Sequence, residues 1–157
     1  MITLRSAREA DAELLLGWAN DPVTRAAGFH RRPIDAATHA RWLSERLADP
    51  RSRLFIGLDE HDRPVGQVRL DAGPDGRAEV SISVAHEARG RGVGLELLRA
   101  GLEAGRADGS LRVDVYVARI RPQNVASIRL FERVGFLHVG SEDVAGEEAL
   151  VYELPAG

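Results

Sequence analysis

The stretch Arg89-Gly90-Arg91-Gly92-Val93-Gly94 lies between a segment that alternates like a β-strand and a segment with helical periodicity. Glycines at such a junction let the backbone turn tightly and let an anion approach the amide groups. The first turn of the following helix adds unpaired N–H groups and the positive end of the helix dipole. Because two arginines add charge beside the glycines, the sequence predicts a loop that binds a diphosphate.

The spacing of the glycines separates this loop from two other phosphate-binding motifs. A dinucleotide-binding G-x-G-x-x-G motif would need glycine in place of Leu95 and would normally follow the first strand of a βαβ unit. A P-loop would need Lys followed by Ser or Thr after Gly94, and neither is present. A glycine-rich loop that only begins a helix stays open as the alternative, although helix starts more often use Ser, Thr, Asp or Asn.

The elements on either side of the loop are predicted to be amphipathic. In the strand over Ala78 to Val84, the apolar side carries Val80, Ile82 and Val84, and the polar side carries Glu79, Ser81 and Ser83. The helix over Gly92 to Ala107 presents an apolar stripe of Leu95, Leu98 and Leu102. Both elements are therefore expected to border the same apolar core.

The rest of the chain predicts a mixed α/β sheet with helices on its faces. An N-terminal strand leads through a Ser6 to Glu9 capping box into a helix that ends before Pro22, and an irregular segment runs from Val23 to Pro33. Asp35 caps a second helix. The predicted order is β-α-α-β-β-β-α-β-α-β-β, in one domain over residues 1–157. A doubly wound parallel sheet is less favoured, because three consecutive strands are joined by short turns.

The later elements are predicted from the same patterns. They are strands at Leu54 to Ile56, Val65 to Leu70, Leu111 to Val117, Phe136 to Val139 and Ala149 to Leu154, and a helix at Asn124 to Val134 with Gly135 as its C-cap. The sheet is therefore expected to be mostly antiparallel.

Composition excludes several classes of protein. The 157 residues include no cysteine, which rules out disulfide scaffolds, thiolate zinc sites and cysteine nucleophiles. A net charge of −3 offers no basic field for nucleic acid or an anionic membrane. Because no apolar run approaches the ~20 residues of a membrane span and no signal peptide precedes the first strand, we expect a cytoplasmic protein. The five histidines show no paired ligand spacing, so no metal site is expected.

Two motifs resemble those of the GNAT acyltransferases. Arg89-x-x-Gly92-x-Gly94 is similar to the acetyl-CoA pyrophosphate motif Gln/Arg-x-x-Gly-x-Gly/Ala. The segment from Asn124 to Phe136 resembles the second motif of the family, Asn-x-x-Ser-x-x-Leu-Tyr-Glu-Lys-x-Gly-Phe. The predicted element order also resembles that fold over essentially the whole chain. The resemblance implies an enzyme that moves an acetyl group from acetyl-CoA to a primary amine by direct attack.

The resemblance also implies where acetyl-CoA binds. The pantetheine arm would pair with the backbone of the strand Ala78 to Val84, which splays from the next strand, and an amide there would polarise the thioester carbonyl. The cofactor-binding residues implied in this way are Ile82, Val84, Arg89, Gly90, Arg91, Gly92, Val93, Gly94, Asn124 and Ser127. Asn124 has an alternative role as the cap of its own helix.

Proton transfer needs a base for the amine and a donor for the thiolate. Glu79 is the candidate base, with a solvated carboxylate at a strand start as the alternative interpretation. The family commonly has tyrosine where this chain has Phe131, which carries no transferable proton. Ser127, water or Tyr116 remain as donors, and Tyr116 has the alternative role of a half-buried sheet residue.

The acceptor is expected to bind between Trp18 and Trp42. The segment from Trp18 to Phe29 resembles acetyltransferases of nucleotide-linked amino sugars, as in pseudaminic acid pathways, and part of it resembles ribosomal-protein N-terminal acetyltransferases. Trp18, Arg25 and Phe29 are the candidate substrate-binding residues, although Trp18 has a core role as its alternative. A protein α-amine, an aminoglycoside and a catalytically silent acyl-CoA-binding module stay open, as does the choice between monomer and homodimer.

Overall fold

A computed structural model describes residues 1–157, and its seven strands form one sheet. In chain order the elements are β1 (Thr3–Ser6), α1 (Ala12–Ala19), α2 (Pro22–Ala27), α3 (Ala36–Ala48), β2 (Ser52–Leu58), β3 (Pro64–Ala72), β4 (Arg77–Val84), α4 (Val93–Ala107), β5 (Val115–Ile120), α5 (Val125–Val134), β6 (Leu137–Val144) and β7 (Glu147–Pro155). Short 3-10 turns precede α1 and α4. The predicted mixed α/β fold is confirmed, with one additional helix.

The sheet has the strand order β1-β2-β3-β4-β5-β7-β6, and β4 with β5 is its one parallel pair. That pair is short, because it joins only Arg77–Glu79 to Val115–Val117. At the start of this junction the Gly76 carbonyl accepts hydrogen bonds from the amides of Asp114 and Val115, at 2.7 and 3.2 Å. Beyond this junction β4 continues to Val84 and β5 continues to Ile120, but the two strands no longer pair with each other. A gap therefore opens between them in the sheet.

One apolar core lies under α4 and α5, where α4 packs closely on β3. A Cβ atom at Gly101 would lie 2.6 Å from a methyl carbon of Val68, so only glycine permits this approach. The buried face of α4 is centred on Leu97, Leu98 and Leu102, whereas Leu95 of the predicted stripe is only partly buried. The predicted polarity of β4 is confirmed, because Val80 is buried in this core while Glu79, Ser81 and Ser83 are partly exposed on the opposite face.

A second core lies under α1 and α3 on the opposite face of the sheet. Leu15, Trp18, Leu43, Leu54 and Ile56 are buried there. The predicted cap of α3 is present, since the Asp35 carboxylate accepts from the Thr38 amide at 2.8 Å.

The start of the first helix differs from the prediction. Ser6 belongs to β1, where it pairs with Phe55, and makes no capping box with Glu9. The Asp11 carboxylate takes that role by accepting from the Arg8 amide at 2.8 Å. Asp11 also holds Arg5 of β1 at 2.8 Å, so the turn between strand and helix is fixed by an ion pair that the sequence pattern did not reveal.

The segment predicted to be irregular after Pro22 contains α2. Asp21 caps this helix by accepting from the Thr24 amide at 3.0 Å, and Pro22 occupies its first turn. Proline is favoured there because the first helical amide has no partner within the helix. Asp-Pro therefore ends one helix and begins the next.

Two later boundaries also differ. The predicted strand at Leu111 begins only at Val115, because the Asp108 carboxylate accepts from the Ser110 amide and holds a turn before it. The last two strands are longer than predicted, and they meet at a turn in which Ala145 and Gly146 have φ values of +54° and +80°.

Candidate active site

A cavity of about 750 Å³ lies where β4 and β5 diverge. Its walls come from β4, the end of β5, the start of α5 and the segment around α2. Eight of the residues singled out in the sequence line it together: Arg25, Phe29, Glu79, Ile82, Val84, Arg89, Asn124 and Ser127.

The edge of β4 that faces the gap carries unpaired backbone groups. The Ala85 amide donates to Val65 and the Arg77 carbonyl accepts from Gly73, so odd-numbered residues of β4 direct their backbone groups to β3. By alternation, the N–H groups of Ile82 and Val84 point into the gap, beyond the last paired residues of β4 and β5. These amides are available to an extended ligand or to a carbonyl oxygen.

The glycine loop has the geometry of an anion-binding site. Gly90 and Gly92 adopt φ values of +79° and +76°, which L-residues with a side chain rarely accept. Gly92 occupies the N-cap of α4 without a side-chain cap, so the amides of residues 93–95 have no partner in the helix. A Cβ atom would meet nothing within 4 Å at either glycine, which leaves open space beside the backbone. These features fit a bound diphosphate.

Gly94 sets the distance between the loop and α5. A Cβ atom there would lie 3.3 Å from a methyl carbon of Leu130 and 3.6 Å from one of Val84. A larger residue would therefore press on the side chains of Leu130 and Val84. The small residue at this position lets the loop, α5 and the end of β4 approach closely.

The Arg89 side chain turns away from the glycine loop. Its guanidinium donates to Asp21 at 2.6 Å and to the Thr24 hydroxyl at 3.2 Å. The hydrogen bond from Arg89 lowers the pKa of the Asp21 carboxyl below its ordinary value. Arg91, which is exposed, is the loop's other source of positive charge for a diphosphate. The sequence motif did not reveal the partner of Arg89.

Glu79 belongs to a three-residue charged network at the mouth of the gap. Arg119 donates to Glu79 at 3.1 Å and to Glu142 of β6 at 2.8 Å. The hydrogen bond with Glu142 raises the pKa of Arg119, and the same bond lowers the pKa of Glu142. Glu79 lines the cavity whereas Glu142 does not.

The start of α5 places two polar residues beside the gap. Asn124 caps the helix, since its Oδ1 accepts from the Ser127 amide at 3.2 Å, and both side chains line the cavity. The Ser127 hydroxyl makes no hydrogen bond within the protein, so it is free to donate or to accept. Phe131, one turn further, also lines the cavity and packs edge-on against Phe136 with the ring centres 5.0 Å apart.

Of the candidate site residues, Tyr116, Trp18 and the loop residues Gly90 to Gly94 do not line the cavity. Tyr116 is fully buried on the α4 side of the sheet, where its hydroxyl donates to the Leu102 carbonyl at 3.0 Å, and burial raises its pKa. Strand alternation turns it away from the gap, so it is not placed to protonate a leaving group. Trp18 packs in the core beneath α1 and α3 and does not line the cavity.

Several lining residues were missed by the sequence analysis. Arg119 and Arg121 lie two positions apart at the end of β5, and that spacing puts them on one face. Arg121 donates to the Ala26 carbonyl of α2 at 2.7 Å and lies 3.5 Å from Glu147. Glu147 also holds Arg31 at 2.7 Å, so the β6–β7 hairpin is fixed to the segment after α2.

The chain is similar to known proteins over most of its length. Residues 1–137 match the acetyltransferase (GNAT) domain family. The chain belongs to the GNAT family. A GNAT relative, the L-methionine sulfoximine/L-methionine sulfone acetyltransferase of Pseudomonas paraeruginosa, is 32% identical over 152 residues, covering 93% of this chain and 86% of the relative.

Solved GNAT structures share the whole fold. Spermidine N-acetyltransferase from Vibrio cholerae, solved with CoA and spermine, superposes with a TM-score of 0.86 at 18% identity, over 99% of this chain and 95% of the other. A phosphinothricin acetyltransferase from Sinorhizobium meliloti, solved with acetyl-CoA, gives 0.81 at 24% identity, over 98% and 88% of the two chains.

The structure contains no group of three His, Asp or Glu side chains arranged to hold a metal ion. It also contains no helix with the length and apolar character needed to cross a membrane.

Proposed function

We propose that the chain transfers the acetyl group of acetyl-CoA to a primary amine of a small molecule by direct attack in the cavity between β4 and β5. The observation that carries this proposal is the unpaired edge of β4, which lies between its junction with β5 at Glu79 and its end at Val84. The glycine loop, which follows β4, supplies free amides for a diphosphate. Glu79 of β4 supplies a carboxylate and Ser127 of α5 supplies a hydroxyl for proton transfer.

The binding residues are proposed from this geometry. The amides of residues 93–95, with Gly90, Gly92 and Arg91, would hold the diphosphate of acetyl-CoA. The backbone of Ile82 and Val84 would pair with the pantetheine arm, as a neighbouring strand would. An amide on the same edge would donate to the thioester oxygen and stabilise the negative charge that develops during attack. Asn124 would hold the start of α5 beside the arm, and Arg89 would hold the loop in place through Asp21.

The transfer step needs one proton removed and one supplied. The amine nitrogen attacks the carbonyl carbon, the carbon–sulfur bond breaks, and CoA leaves as its thiolate. Glu79 would accept the amine proton directly or through water held by Ser81 and Ser83, which line the same wall. Ser127 or water would give the proton to the thiolate. Because a thiol titrates near 8.5, this leaving group needs little help at neutral pH.

Two acceptor classes are supported. The relative at 32% identity is named for two amino-acid analogues, which favours a small amine close to a carboxylate. Phe29 and Arg25 in the cavity also suit an amino sugar linked to a nucleotide, with the ring for stacking and the cation for a phosphate. A protein α-amine and an aminoglycoside are further members of the test panel.

The test is release of free thiol from acetyl-CoA with a panel of amines. Since the chain contains no cysteine, a thiol-reactive dye reports only on CoA. We expect turnover with at least one amine and a matching acetylated product by mass spectrometry. Tight binding of acetyl-CoA without transfer to any amine would instead favour a silent acyl-CoA-binding module, for which Phe131 in the usual tyrosine position is the motivating observation.

A further inference from the structure

The cavity is lined by an excess of positive charge. Its side chains include one carboxylate, Glu79, and five guanidinium groups, those of Arg25, Arg69, Arg89, Arg119 and Arg121. Such a lining favours an anionic ligand only where the cations are not already neutralised by the protein. The partners of each arginine therefore decide where a ligand's negative charge is needed.

Four of these arginines form ion pairs with carboxylates of the chain itself, although Asp71 is shared with Arg46 and Glu147 with Arg31. Arg69 lies 2.7 Å from Asp71, Arg89 lies 2.6 Å from Asp21, Arg119 contacts Glu79 and Glu142, and Arg121 lies 3.5 Å from Glu147. Arg25 has no carboxylate within ion-pairing distance. It is therefore the one cavity arginine that forms no ion pair with a carboxylate.

The Arg25 guanidinium is also poor in hydrogen bonds. Of its five N–H donors, Nη1 alone has an acceptor, the Arg32 carbonyl at 3.2 Å. Its Nε is buried and has no partner. Burial lowers the pKa of Arg25, as expected for a cation with too little compensation. Arg25 is partly buried, and desolvation of a cation costs free energy unless a ligand completes its contacts.

The backbone around Arg25 is held firmly. Asp21 caps the start of α2 and bonds Arg89, and the Ala26 carbonyl accepts from Arg121 at 2.7 Å. Arg31 is fixed to Glu147 of β7. These contacts place Arg25 on a supported element, which is what a residue that orients a substrate requires.

We propose that Arg25 determines acceptor specificity by binding an anionic oxygen group, a carboxylate or a phosphate, on the amine that the chain acetylates. This inference rests on the proposed function. A guanidinium matches both groups because its parallel N–H donors bond two oxygens at once. Binding the anion at Arg25 on α2 would direct the amine of the acceptor toward Glu79 and the thioester on the opposite wall.

The experiment uses matched pairs of amines that differ in charge. Methionine sulfone is compared with its carboxamide, and glucosamine 1-phosphate with glucosamine. Acetylation is measured as kcat/KM, and binding of the same amines to the CoA-saturated protein is measured by calorimetry. The wild-type protein is expected to prefer the anionic member of at least one pair, and the pair that shows the preference separates a carboxylate from a phosphate.

The Arg25→Gln substitution is expected to reduce kcat/KM for the preferred anionic amine about 10- to 100-fold, the loss of a charge-assisted hydrogen-bond pair. The neutral partner should change by less than about twofold, and the KM for acetyl-CoA should not change. Arg25→Lys should retain part of the preference. Arg32→Gln, at an exposed neighbouring position, is the matched control and should behave as wild type.

The outcomes separate the two proposals. Equal use of both members of each pair, or an equal loss for both in Arg25→Gln, overturns the assignment of Arg25 and leaves the proposed function standing. An Arg25-dependent preference in binding without any thiol release supports the anion site and overturns the proposed function. Neither binding nor turnover with any amine overturns both.

Discussion

The Asp21 carboxylate lies 2.6 Å from the Nη2 atom of Arg89. The same carboxylate caps α2 by accepting from the Thr24 amide at 3.0 Å. One side chain therefore joins the helix that carries Arg25 to the residue that begins the glycine loop. This contact fixes the position of the acceptor side of the cavity relative to the proposed diphosphate side.

Asp21→Asn is expected to weaken this connection. The variant should lose about 1 kcal/mol of stability at neutral pH, because it loses the ion pair but keeps a side-chain oxygen for the cap. Urea unfolding measures the stability, and the KM values for acetyl-CoA and for the amine should both rise. Asp35→Asn is the control, because Asp35 caps α3 through Thr38 in the same way but has no arginine partner.

The Asp21 contribution should depend on pH in a defined direction. Its pKa is lowered in the folded chain, first by the hydrogen bond from Arg89, so the stabilisation is present above the ordinary carboxyl pKa. It is lost as the pH falls through the lower folded value. The stability difference between wild type and Asp21→Asn should therefore shrink from pH 7 to pH 3, and a constant difference would contradict the assignment.

Gly92→Ala tests the glycine loop. Gly92 has a φ of +76°, where a side chain costs about 1–2 kcal/mol, so the loop is expected to shift and turn its free amides away. We expect the Kd for CoA to rise at least about tenfold, measured by calorimetry. Gly109→Ala is the control, since it also adds a methyl group in open space but without a positive φ. Unchanged CoA affinity in Gly92→Ala would remove the loop as the diphosphate site.

Glu79→Gln tests the proposed base against a matched variant, Glu142→Gln. Both carboxylates bond Arg119, but Glu79 alone lines the cavity. Loss of the base should lower kcat/KM for the amine mainly below the pH optimum, where the amine is protonated, without changing CoA binding. If the two variants have the same pH profile, Glu79 acts only by positioning Arg119. A rate that Glu79→Gln leaves unchanged at every pH removes it from the mechanism.

Two further variants separate the candidate proton donors. Tyr116→Phe removes a buried hydrogen bond to the Leu102 carbonyl and should cost about 1 kcal/mol of stability while kcat stays near wild type. Ser127→Ala should lower kcat several-fold with little loss of stability, because its hydroxyl has no partner in the protein. A large loss of kcat in Tyr116→Phe at temperatures where the variant is folded would reverse the two roles.

The sequence predicts most of the fold because alternation and helical periodicity report which face of each element is buried. It predicts β4, the glycine loop and the cap of α3 at Asp35 from residues that act locally. It misses α2, because Pro22 is equally suited to ending one helix and beginning another. It also places Leu95 in the buried stripe of α4, although this residue is only partly buried. The closest packing of α4 on the sheet occurs at glycines such as Gly101 and not at the leucines.

The candidate site is less predictable, because its charges are paired across long stretches of sequence. The partner of Arg89 lies on α2, that of Glu79 lies on β5, and Arg121 reaches Glu147 on β7. Nothing in the spacing along the chain identifies such pairs. The lack of a carboxylate partner for Arg25 cannot be read from the sequence for the same reason, since it depends on where every carboxylate of the fold lies.

Because β4 and β5 pair over only three residues, the sheet has two parts, β1 to β4 and β5 to β7, that are joined at a narrow junction. Any molecule that bonds to both sides of the opening acts as an additional crosslink between these two parts. Occupancy and rigidity are thus thermodynamically linked. Hydrogen exchange of the amides at the junction of β4 and β5 would report ligand binding even with an acceptor that never reacts.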